Sequence, residues 1–179
     1  MYRLPKAIES DPQATLLLTT LATAPHRLWP ESPVRIPEAD LNAALLEALL
    51  AAHRAGRVVR SLEKAQIVLT AEAHGQRAAD RRSGIMRGTR ISRLLVLTND
   101  GSERFYRQVA SLLERHGPRV VAVRLPVDAE TLGESLFGKG QAARLVMIEH
   151  KAAVGAVLLA LAKQWAGLDA GKEDPFGPA

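Results

Sequence analysis

The second half of this chain alternates short, uninterrupted apolar runs with stretches of helical periodicity, and few folds accommodate that pattern. The runs are Leu94 to Thr98, Val120 to Leu125 and Leu145 to Ile148. Each has the length and continuous hydrophobicity of a strand covered on both faces. Between the first two, Phe105, Val109, Leu112 and Leu113 recur at helical spacing. Ser102 supplies an N-cap for that helix, and Gly117-Pro118 stops it. Asp128 can cap a second helix through Leu132 and Leu136 that ends at Gly138. A third places Val154, Val157, Leu158, Leu161 and Trp165 on one face before Gly167. Strands near 94–98, 119–125 and 144–148, with helices near 102–116, 128–137 and 151–166, read as βαβ units joined by short connections. Crossovers of that kind predict a three-layer α/β/α sandwich with a mostly parallel sheet.

The first half is less regular. Thr15 to Thr20 reads as a strand between Pro12 and Pro25, and the four prolines from Pro25 to Pro37 predict an extended connection. Pro37, with Glu38 and Asp40 early and leucines at 41, 45 and 49, predicts a helix ending near Gly56. Gln66 to Thr70 reads as a further strand. The Arg/Gly-rich stretch 75–90 has little apolar periodicity and is expected to be a basic loop. A single domain over 1–169 follows, with a proline-rich N-terminal segment 1–37 and a flexible tail 170–179.

Charge is unevenly placed. Of a net +5, residues 53–93 carry +7, from ten basic against three acidic side chains, leaving −2 elsewhere. An arginine-weighted patch attracts phosphates. Its members Arg57, Lys64, Arg77, Arg81, Arg82, Arg87 and Arg90, with Lys139 further on, are the candidate nucleic-acid contacts. Aromatic residues make up only 4% of the chain, which argues against a base-stacking platform, so arginine and backbone would have to carry the binding. RNA is the expected partner.

Other chemistry is constrained mostly by absences. The chain has no cysteine, no glycine-rich phosphate loop, no nucleophile elbow and no zincin motif. No cofactor and no metal is expected. The charged, proline-interrupted start lacks a signal-peptide core, and the longest apolar run, Ala152 to Ala162, is too short to span a bilayer, so a cytoplasmic protein without membrane contact is expected. In a parallel α/β sheet ligands sit at the carboxyl ends of strands. There Glu72 and His74, Asp100, and His150 would converge if their strands were parallel neighbours, giving an acid/base cluster for an enzyme or small-ligand domain of Rossmann-like type. A third alternative is a non-catalytic subunit, with a protein partner or a second copy covering the leucine-rich or the last helix.

The order of motifs also resembles the family of kink-turn-binding ribosomal proteins, small α/β/α RNA-binding domains. The resemblance rests on Ala55-Gly56-Arg57-Val58-Val59 with Glu63-Lys64, on Leu95 to Asp100, and on Leu132-Gly133-Glu134 with Gly138-Lys139-Gly140. It covers about residues 52–166. It implies RNA contacts at Gly56, Arg57, Glu63, Lys64, Gly138 and Lys139. The chain departs from the pattern where the family's second glycine is replaced by Ser61, and in a longer Gly56 to Asp100 interval that contains the Arg-rich stretch.

Overall fold

The computed structural model describes residues 1–84 and 89–167. Its centre is a four-stranded sheet of β3 (Val58–Arg60), β6 (Leu145–Ile148), β4 (Arg93–Leu97) and β5 (Val120–Arg124), in that spatial order. Helices α3 (Leu62–Ser83) and α4 (Glu103–His116) cover one face. Helices α1 (Ala14–Ala22), α2 (Ala43–Arg54), α5 (Ala129–Phe137) and α6 (Lys151–Trp165) belong to the core on the other. The α/β/α sandwich is therefore the architecture. Successive strand residues feed opposite cores: Leu94, Val96, Val121 and Val123 pack with α1, α2 and α6, while Leu95, Leu97 and Ala122 pack with α3 and α4. This double burial is why the strands read as unbroken apolar runs.

The parallel part of the sheet is limited. β4 and β5 are parallel with Leu95 opposite Ala122, but β6 runs antiparallel to both β4 and β3. The cause is the return path after α5. Nine residues of helix leave the carboxyl end of β5, and residues 138–143 then double back along the helix, with the Ala143 N–H donating to the Ala129 carbonyl at 2.9 Å. The chain thus re-enters the sheet at the edge it left. Gly133 permits this, since a Cβ there would lie 2.5 Å from the Ala142 Cα and 2.6 Å from the Gln141 carbonyl oxygen.

Four local expectations are corrected. Thr15 to Thr20 lies inside α1, because Leu17 and Leu21 are buried four residues apart while Thr19 and Thr20 turn their hydroxyls back to the carbonyls of Thr15 and Leu16. The leucine-rich helix begins at Ala43 with Asn42 as its cap; residues 37–39 instead run extended beside β5, exchanging bonds with both backbone groups of Arg124. Gln66 to Thr70 is the interior of α3, where Leu62, Ala65 and Leu69 face the core and Ile67 faces solvent. Much of the expected basic loop is helix as well, since α3 reaches Ser83; residues 85–88 and the expected tail lie outside the described residues. The proline-rich connection holds a small antiparallel pair, β1 (His26–Arg27) with β2 (Arg35–Ile36).

Candidate nucleic-acid interface

With β6 reversed, the two ends of the sheet have distinct membership. One edge carries the carboxyl ends of β3, β4 and β5 and the start of β6. The other carries the end of β6 and the starts of the remaining strands.

The first edge brings together segments far apart in sequence. Ser61 links β3 to α3 with φ 93° and ψ 151°, a conformation largely confined to glycine. Its backbone N–H donates to the Leu145 carbonyl at 3.1 Å, and its hydroxyl accepts from the Lys64 N–H at 3.4 Å, capping α3. Arg60 reaches across to the returning loop, donating to the Gln141 Oε1 at 2.9 Å and the Ala142 carbonyl at 2.7 Å, with its guanidinium 4.8 Å from the centre of the Phe137 ring. In that loop Gly138 and Gly140 have φ of 100° and 78°, and Glu134 accepts from the Gly140 N–H at 2.9 Å. The exposed Lys139 is therefore carried by a backbone held at both sides. Between the segments lies a cavity of about 220 Å³ lined by Arg60, Ser61, Glu63, Phe105, Ala142 and Arg144.

Asp100 shares this edge in a scaffolding role. It accepts from the Thr98 hydroxyl at 2.7 Å and the Ala129 N–H at 3.2 Å, joining the end of β4 to the start of α5. The buried Tyr106 hydroxyl donates to the Thr98 carbonyl at 2.7 Å and accepts from the Gly101 N–H at 3.2 Å, and burial raises its pKa. The loop is thus tied down from both sides.

The expected acid/base cluster does not assemble. His150 lies at the opposite edge, where with φ 67° it caps α6 by accepting from the Ala152 N–H at 3.2 Å. Glu72 is also at that edge, accepting from Arg93 at the start of β4 and from Arg119 just before β5. His74 is exposed on α3. The parallel arrangement that would have gathered these groups with Asp100 is undone by the antiparallel β6. Among the described residues no group of three or more His, Asp or Glu side chains could hold a metal ion.

The basic residues divide the same way. Lys64 and Lys139 lie at the first edge. Arg57 precedes β3 at the second, its carbonyl bound by the Glu149 N–H. Arg77, Arg81 and Arg82 ride the far half of α3, which at 22 residues is about 33 Å long and overhangs the sheet. Arg90 anchors the N-terminal segment instead, donating to the Leu4 carbonyl at 2.8 Å and pairing with Glu9 at 3.2 Å. Arg87 lies outside the described residues. Of the residues the resemblance implied, Glu63, Lys64, Gly138 and Lys139 come together, while Gly56 and Arg57 fall at the other end of β3. Sequence reasoning missed Arg60, Arg144 and Phe105 at this edge; the short strand Val58–Arg60 was the signal that would have placed Arg60.

No helix among the described residues is long and apolar enough to cross a membrane. No family model and no curated protein matches the chain. The solved structure of a protein with unknown function from Bacillus halodurans C is similar with a TM-score of 0.42 and 22% identity, over 68% of this chain and 98% of that one.

Proposed function

We propose that this protein binds structured RNA, in the manner of the kink-turn-binding family that its motifs resemble, through the sheet edge formed by the start of α3 and the loop 138–144. The observation that carries the reading is the junction at Ser61. A non-glycine residue holds a glycine-type conformation at the position where the resemblance expects glycine, and Arg60 beside it is bonded to the 138–142 loop. Backbone strain of about 1–3 kcal/mol is retained mainly where function requires the geometry. Here the N-terminus of a long helix, capped by Ser61, stands at the same sheet edge as Lys64, Lys139 and Arg144, a combination suited to phosphate oxygens. The half-buried Phe105 offers an apolar surface at this edge for an unstacked base. Such a role belongs to the cytoplasm.

The test is fluorescence anisotropy with an RNA containing a kink-turn internal loop and a fully paired duplex of the same length. The expected result is preference for the kinked RNA by about tenfold or more and a logarithmic salt slope of roughly −2 to −4, as for a few phosphate contacts. Lys64→Glu with Lys139→Glu should abolish the preference. Equal affinity for both RNAs, or no binding at low salt by protein freed of nucleic acid, would defeat the proposal.

A further inference from the structure

The opposite edge holds a second polar feature that RNA binding at the Ser61 edge does not use. Where α4 ends and β5 begins, a cavity of about 470 Å³ opens between α3 and the Gly117-Pro118 turn, lined by Arg77, Asp80, Thr89, Arg115, His116 and Arg119. Its wall, to which Asp80 also belongs, holds buried polar atoms left without a hydrogen-bond partner among the described residues, and two of them are on basic side chains. One is the Arg119 Nη2, on a side chain only 12% exposed, and the other is the Nε2 of His116, which is 7% exposed. Glu72 cannot satisfy them. Its Oε1 accepts from Arg93, and its Oε2 accepts from the Arg119 Nη1 at 3.0 Å, so both carboxylate oxygens are already engaged.

Each orphaned buried polar group costs about 1–3 kcal/mol, and native structures keep such groups mainly where a ligand, ion or water completes them. At the mouth of the cavity, exposed Arg77 and Arg115 have no carboxylate within ion-pair distance among the described residues. Among the lining residues, three arginines (77, 115 and 119) face one carboxylate (Asp80). The surplus of +2 surrounds a concave volume within the range of small-molecule sites. Desolvation, then Arg119 and Arg115, lowers the His116 pKa, so the imidazole is neutral at pH 7 and free to donate one N–H.

We propose that this cavity is a binding site for the phosphomonoester group of a small molecule, with Arg119 and His116 as the interior donors and Arg77 and Arg115 as the rim. A terminal phosphate can enter end-on and reach the buried donors, and its two negative charges match the surplus. A phosphodiester carries a single negative charge and would leave half of that surplus unmatched. The site stands at the other end of the sheet from Ser61 and does not depend on the RNA reading.

The test titrates the full chain with inorganic phosphate and with adenosine monophosphate while following the imidazole resonance of His116, assigned by its loss in His116→Gln. A saturable shift with a midpoint near or below about 1 mM is expected, weakened about tenfold or more in Arg77→Gln/Arg115→Gln. Both substitutions are at exposed positions, and an unchanged thermal midpoint reports that the variant is folded. Lys64→Glu with Lys139→Glu should leave the shift intact, which separates this site from the RNA edge. No shift up to about 20 mM, or one indifferent to the arginine pair, would overturn the proposal, because millimolar affinity is the least that two charge-assisted contacts should provide. Displacement of phosphate by duplex RNA would overturn the phosphomonoester assignment.

Discussion

Gly133→Ala tests the packing that decides both the sheet topology and the Ser61 edge. In the interior of an exposed helix this substitution stabilises by about 1 kcal/mol, because alanine has the better helix propensity. Gly133 is buried in α5, however, and an added Cβ would lie 2.5, 2.6 and 2.7 Å from the Ala142 Cα, the Gln141 carbonyl oxygen and the Ala142 carbonyl carbon. All three are backbone atoms, so no rotamer change relieves the contact, and the loop must lift by about an ångström. Overpacking of that kind costs about 1–3 kcal/mol, and loss of the nearby Ala143 to Ala129 bond adds about 1 kcal/mol. Against the propensity gain the net is a destabilisation of about 1–3 kcal/mol. For a domain of this size that is a fall in Tm of roughly 2–12 °C. Urea unfolding followed by far-UV circular dichroism reads it directly, as a lower midpoint at unchanged slope. The same loop carries Lys139 and the partners of Arg60, so RNA affinity should fall together with stability. A variant with equal or higher Tm would show that the loop does not rest on Gly133, and the account of why β6 reverses would fail with it.

Three further perturbations probe the other strained or buried positions. Ser61→Gly should raise stability by a few tenths to about 1 kcal/mol, since relief of the positive φ outweighs the small loss of capping, whereas Ser61→Val should lower it by about 2 kcal/mol; matching urea midpoints for the two would refute the strain. Glu72→Gln should cost about 1–2 kcal/mol in the same assay, the clamp being partly exposed, by leaving Arg93 and Arg119 without their shared charge; an unchanged midpoint would show that the clamp contributes nothing. His116 is held below its ordinary pKa, so on acidification the unfolded chain takes up the proton first. Stability should hold above about pH 6.5 and decline as pH falls from there toward the folded value. His116→Gln should flatten that decline below about pH 6.5, and an undiminished slope would assign it to other groups.

What could be read from the chain alone depended on how far each signal reached. The strands and helices from Arg93 to Trp165 were legible to within a residue or two, because burial on both faces and caps such as Ser102 and Asp128 act locally. Strand direction was not, since it turns on one non-local contact, the loop against Gly133, that no periodicity encodes. Residues 66–70 show the opposite failure: five apolar-to-polar positions fit a strand, and only Ser61 capping below and the spacing of Leu62, Ala65 and Leu69 mark a helix.

The same non-local contact explains why the candidate site was half visible. The resemblance pointed to Lys64 and Lys139 on motif order, whereas the crevice rule pointed to Asp100 with His150. These cannot both be right about one surface, because reversing β6 moves the loop before it toward Ser61 and carries the residues after it to the far edge. The reversal therefore separates Asp100 from Glu72 and His150. It also isolates the Glu72, Arg119 and His116 group at the other end of the sheet, away from Lys64 and Lys139. A chain whose β6 were parallel would join the two ends into one site, so the number of separable anion sites, measured as phosphate binding that survives Lys64→Glu and Lys139→Glu, is a functional readout of strand direction.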